Sequence, residues 1–213
     1  MVRRAASEAL ATAFLLATVI GSGIMGEQLA GGNVAIALLA NTLATGAALV
    51  ALILTFGPIS GAHMNPAVTI SAAMERELPW REVPGYVLAQ IAGAFAGVAT
   101  AHGMFEKPLF FASQHVRAGN SQLWSEFVAT FGLVAVIWGC SRTRPTAVPF
   151  AVGAYITAAY WFTASTSFAN PAVTLARTAS DTFAGIRPID APAFIAVQFV
   201  AAVAATLLFR WLK

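Results

Sequence analysis

The sequence predicts an all-α membrane protein with six transmembrane helices and two re-entrant half-helices arranged as an inverted repeat. Three observations carry this expectation. Of 213 residues, 58% are hydrophobic and only 10% charged, against about 25% charged in an ordinary soluble domain, so there is no polar coat for a water-soluble globule. Apolar stretches of about 20 residues, long enough to cross a hydrocarbon core, recur along the chain. The triplet Asn-Pro-Ala occurs twice, at 65–67 and 170–172, each time in apolar surroundings.

The elements follow in order. The first span is expected over 7–26; Arg3 and Arg4 precede it, but the apolar run is too long for a signal-peptide h-region and no cleavage site is evident, so it stays in place. The second is expected over 34–56. The segment "GPISGAH" then leads to Asn65, a preferred helix N-cap, and Pro66, well tolerated at the first helical position. A half-helix over 66–75, about 15 Å long, would cover half the hydrocarbon core. Spans over 83–105, 123–141 and 148–166 come next. "TASTSFA" leads to Asn170 and Pro171, opening a second half-helix over 171–180, and the last span is expected over 192–212.

The halves match. "SEALATAFLL" (7–16) resembles "SEFVATFGLV" (125–134), and "AQIAGAFAG" (89–97) resembles "VQFVAAVAA" (197–205), which registers Gln90 with Gln198. Residues 1–213 therefore read as a single transmembrane domain with internal repeats at approximately 7–105 and 123–213. Each repeat has three full crossings, an odd number, so the second enters from the opposite face and a pseudo-two-fold axis lies in the membrane plane.

That arrangement brings the two capped half-helix starts together at the midplane. Each start presents unpaired backbone N–H groups and a positive partial charge, and non-helical backbone at that depth must be buried or line a wet cavity. The pore-centre residues are then Asn65, Pro66, Ala67, Asn170, Pro171 and Ala172. A water there accepts from the two Asn amides and donates to flanking carbonyls, so it passes no proton along a chain.

Charge and composition bound the rest. Arg3, Arg4, Arg76, Arg81, Arg142, Arg144, Arg210 and Lys213 fall on one side and Lys107, Arg117, Arg177 and Arg187 on the other, which predicts both termini in the cytoplasm. Trp80, Trp124 and Trp211 fall at predicted span ends. The net charge of +3 is spread over loops and points to no nucleic-acid partner. Cys140, the single cysteine, excludes an internal disulfide and reads as a small packing residue. His63, His102 and His115 are too scattered for a metal site, and His63 reads as setting loop geometry beside Asn65. No nucleophile–base pair, carboxylate pair or ligand cluster suggests an enzyme, and no cofactor is implied.

These motifs resemble the aquaporin and glyceroporin (major intrinsic protein) family over the whole chain: six spans, "SGAHMNPAVTIS", "ANPA", and Glu8 and Glu126 in the first span of each half. The resemblance implies a homotetramer in the lipid bilayer of the cell inner (plasma) membrane, each subunit a passive channel for water or small neutral solutes. It also implies that Glu8 and Glu126 brace the re-entrant loops. By the same resemblance the outer filter falls at Thr45, Ala158, Ser167 and Val173, with Tyr160 and Trp161 close to Ala158. Val173 stands where the family has an arginine, so a wide, uncharged filter is expected. "YWFTASTSFANPAVTLAR" resembles a bacterial branch found beside arsenic-resistance genes, which makes arsenite, as the neutral hydroxide, the leading solute; a glycerol/water facilitator is the alternative. A secondary transporter, which also uses inverted repeats and broken helices, is the rival from another class, and a junction or adhesion protein a third.

Arg177 lies four residues beyond Val173, one turn further out on the same helix face. It reads either as an outer-vestibule cation or as a helix-end arginine paired with Asp181 at i+4.

Overall fold

A computed structural model describes residues 1–212; Lys213, counted above among the cytoplasmic basic residues, lies outside them. The described residues form eight α-helices: α1 (Val2–Leu29), α2 (Val34–Ser60), α3 (Pro66–Met74), α4 (Val83–Met104), α5 (Asn120–Thr143), α6 (Val148–Phe162), α7 (Pro171–Arg177) and α8 (Ala191–Trp211). Five segments are long and apolar enough to cross a membrane: α1, α2, α4 with its leading 3-10 turn, α5 and α8.

The stretch 148–166, expected to be helical throughout, is helical for 15 residues, about 22 Å. Its end is local in origin. Thr163 turns extended, its hydroxyl donates to the Ala159 carbonyl (2.7 Å), and the chain bends inward toward Asn170. A 3-10 turn at Pro145–Ala147 continues α6 at its other end, and α6 packs against α2 and α5 as the sixth member of the bundle.

α1 packs along α4, α5 along α8, and α2 along both α1 and α6. Small residues permit the closest approaches. A Cβ on Gly93 or Gly97 would fall on the backbone of Ala9 or Ala13, so α1 and α4 meet backbone to backbone, the usual solution where lipid removes the hydrophobic drive for association. Leu16, Ile20, Ala94 and Val98 fill that seam. Leu10, Phe14, Leu43, Leu88, Phe150 and Leu208 face outward, as an apolar solvent allows.

The two half-helices start as their sequences direct. Asn65 and Asn170 are extended N-caps whose side chains accept from Ala67 N and from Ala172 and Val173 N, with proline at the first helical position. α7 is a turn shorter than the expected 171–180. Beyond Arg177 the carbonyls of Thr178 and Ala179 accept from Ser113 and Phe111 of the 105–119 segment, which draws the chain out of the helix.

Candidate functional site

The approach to each half-helix is sharply kinked. Ala62 and Met64 before Asn65, and Ser167 and Ala169 before Asn170, all have left-handed φ, from 47° to 52°. Such residues cost about 1–3 kcal/mol each and persist only where surroundings over-determine them. Two glutamates supply the determination. Glu8 of α1, fully buried, accepts from His63 N (2.9 Å), Met64 N (2.7 Å), Ser60 Oγ (2.7 Å) and Gln90 Nε2 (2.8 Å). Glu126 of α5 accepts from Phe168 N (2.9 Å), Ala169 N (2.9 Å) and Gln198 Nε2 (2.6 Å). Buried carboxylates with this many donors are satisfied acceptors rather than stray charges. Gln90 and Gln198 continue both networks to Thr69 and Thr174 on the half-helices. The sequence registers these glutamines only as repeat landmarks, and their bracing contacts are visible only in three dimensions.

The starts of α3 and α7 meet. Asn65 Nδ2 donates to Ala169 O (2.8 Å), and Asn170 Nδ2 donates to Met64 O (2.7 Å). Each asparagine therefore uses its amide oxygen on its own helix and one amide hydrogen on the opposite loop. One N–H per side chain is left over, and both asparagines line the same cavity, of about 240 Å³. Pro66, Ala67, Pro171 and Ala172 are buried behind them and do not line it. The cavity walls are mostly apolar on the α2, α5 and α6 sides, including Leu49, Leu133, Val152 and Ile156, with Thr45, Ser141 and Tyr160 as their polar members. His63 also lines it, and its Nδ1 lies 3.2 Å from Thr69 Oγ1.

At the α7 end the lining includes Thr45, Ser167, Val173, Tyr160 and Arg177. Ala158, expected at this constriction, is exposed on the surface of α6 and does not line this cavity. Val152, Ile156 and Tyr160 recur every four residues and share one face, whereas Ala158 is two residues out of step, about 200° around the helix. Tyr160 takes the inner position, its hydroxyl donating to Thr45 Oγ1 (3.3 Å). The expectation of a filter without an aromatic residue is thereby corrected.

The proposed Arg177–Asp181 pair is corrected too. Arg177 is only 2% exposed; its Nε donates to the Ala184 carbonyl and its guanidinium carbon sits 3.4 Å from the Phe168 ring centroid. Asp181 instead accepts from Gln114 N. A cation therefore does line the α7 end, one turn beyond Val173, so the lining there is not uncharged. Outside the spans, Arg117 N donates to Asp190, and hydrogen bonding from Arg187 holds the Asp190 carboxyl below its usual range. At the opposite end Glu75 pairs with Arg210 (2.9 Å) and Arg142 (3.3 Å), and Glu82 with Arg4 (2.7 Å).

Comparison with known proteins gives matches along the whole chain. The sequence profile of the family described as "Major intrinsic protein" matches residues 1–167. "Aquaglyceroporin AqpS" of Rhizobium meliloti (strain 1021) is 54% identical over 212 residues, covering 100% of this chain and 91% of the relative. "Aquaporin NIP1-3" of Oryza sativa subsp. japonica is 36% identical over 61% of this chain and 48% of its own length. Among solved structures, the aquaglyceroporin from Plasmodium falciparum superposes with a TM-score of 0.71 at 24% identity, covering 98% of this chain and 93% of that one, a likeness of fold.

Proposed function

The chain belongs to the major intrinsic protein family, and on that premise we propose that it is a passive transmembrane channel for water and small neutral solutes. One observation carries the reading. Two half-helices, entering from opposite ends of the bundle, deliver Asn65 and Asn170 to one apolar-walled cavity, each with a spare amide N–H. A solute oxygen at that point accepts from both amides. With its acceptor face so occupied, a water there is a poor link in a proton wire, and the positive starts of the two helices disfavour cations.

The solutes we propose are water and compact polyhydroxy molecules: glycerol, and metalloid trihydroxides such as arsenite, which present similar hydroxyl groups. The similarity to a protein named an aquaglyceroporin supports this, as does Val173 directly after the second triplet, whose own side chain is short and carries no donor. In the same reading the protein is a homotetramer in the bacterial inner membrane, both termini are cytoplasmic, and residues 7–105 and 123–213 are its two inverted repeats. The matched hydrogen bonds of Glu8 and Glu126 and of the two asparagines support the repeat.

The secondary-transporter alternative needs an ionisable group that can change state during transport. Glu8 and Glu126, the candidates the sequence offers, lie outside the cavity lining and are committed to loop N–H groups, whereas His63, Glu77 and Arg177 do line it, so the flux measurement separates the two readings. The test is stopped-flow flux in proteoliposomes with water, glycerol and arsenite. Flux linear in gradient, with a low activation energy, is the expected result; saturation together with dependence on a proton or ion gradient overturns the channel.

A further inference from the structure

Arg177 presents an unusual electrostatic situation. Its side chain is buried, and among the described residues its only hydrogen bond is from Nε to the Ala184 carbonyl. The guanidinium lies on Phe168, where Arg117 also sits at 4.9 Å from the ring centroid. Among the described residues no carboxylate forms an ion pair with either arginine. A buried cation without an ion-pair partner costs several kcal/mol unless something solvates it. Arg177 lines the cavity, from which such a partner can approach it.

A second, independent observation lies in the same place. Ser167 is 3% exposed and lines the cavity, yet its hydroxyl has no hydrogen-bond partner. Buried polar groups in folded proteins are almost always paired, so an orphan hydroxyl lining the same cavity as a guanidinium without an ion pair points to an occupant that accepts from both. The guanidinium matches a planar two-oxygen acceptor best. A single carboxylate suits the Arg177 guanidinium, and Val173, one turn along on the same helix face, offers a short alkyl group an apolar contact.

We propose that Arg177 and Ser167 form a binding site for the carboxylate of a short monocarboxylic acid at the α7 end of the cavity. The site deepens the channel reading, since it lies in the proposed solute path, but binding at equilibrium is measurable without transport. Tyr160 and Thr45, already bonded to each other, form the wall beside it. The site then selects for an anionic head group, whereas the asparagine pair further in serves any small oxygen acceptor.

The test is equilibrium dialysis of radiolabelled lactate against the purified full chain in detergent, with unlabelled lactamide and chloride as competitors and glycerol flux measured on the same preparations. Saturable binding of one lactate per chain is expected, displaced by neither lactamide nor chloride. Arg177→Gln should weaken it by more than tenfold, and Ser167→Ala, which removes a group bonded to nothing else, by about tenfold, the loss of one charge-assisted hydrogen bond. Absence of saturable binding, equal competition by lactamide, or unchanged affinity in Ser167→Ala overturns the site, the last holding even if Arg177→Gln fails to fold. Solvation of Arg177 by water alone would give that same absence of binding. Glycerol flux without lactate binding overturns the site and leaves the channel standing; lactate binding without flux of either water or glycerol leaves the site standing and overturns the channel.

Discussion

Replacing Glu8 is the perturbation whose cost can be worked most directly from the structure. The carboxylate takes four donors, and two of them, His63 N and Met64 N, belong to the strained approach to Asn65. Glu8→Ala leaves both backbone N–H groups without an acceptor in a site closed to water. At about 1–3 kcal/mol for each unsatisfied buried group the loss is about 4 kcal/mol. Gln90 keeps a bond to Thr69, and Ser60 Oγ still accepts from Ser7 (3.1 Å), so those groups add little. Glu8→Gln preserves shape and one acceptor oxygen. Oε1 serves His63 and Oε2 serves Met64, so whichever way the amide turns, its NH2 faces one backbone N–H, and the cost is about 2 kcal/mol. The assay is unfolding by SDS titration of protein in mixed micelles, paired with water flux normalised to folded channel. The expected order is parent, then Gln, then Ala, with flux per folded channel falling less than stability does. Equal costs for Gln and Ala would mean that net charge, not the number of acceptors, governs the loop. A cost below about 1 kcal/mol for Ala would refute bracing altogether.

Asn170→Asp exchanges the amide that donates to Met64 O for a carboxylate, which repels that carbonyl and places a negative charge at the cavity centre; cation conductance should rise and channel yield fall, as read by planar-bilayer recording and detergent-extracted amount. Val173→Arg places a second guanidinium about 6 Å from Arg177, a repulsion of about 3 kcal/mol at an effective dielectric near 20; glycerol swelling should drop more than water swelling, and equal drops would count against Val173 lining the path. Tyr160→Ala should increase permeability to larger polyols whereas Ala158→Phe should leave it unchanged, since only Tyr160 lines the cavity; a size-graded swelling series that shows the opposite would restore Ala158 to the filter.

Local rules governed everything legible in the residues alone. Composition and run length placed the membrane spans, because burial in hydrocarbon forbids charge over about 20 residues. Asn65-Pro66 and Asn170-Pro171 marked their helix starts because capping and the proline ring act within a few residues of chain, and both starts lie where they were expected. Repeat matching paired Glu8 with Glu126 and Gln90 with Gln198, but not what they hold. Only the tertiary structure decided which residues face inward. α6 is apolar on all sides, so no amphipathic stripe distinguishes its lipid face from its cavity face, and Tyr160 rather than Ala158 turned inward through packing against α2 and α5. The partners of Arg177 were equally hidden. Asp181 lies at the helix spacing that favours a pair, but α7 ends at Arg177, and the unwound chain carries Asp181 to Gln114 while bringing Ala184 under the guanidinium. Sequence spacing predicts contacts only while the helix continues; past its end, the fold of the loop chooses the neighbour.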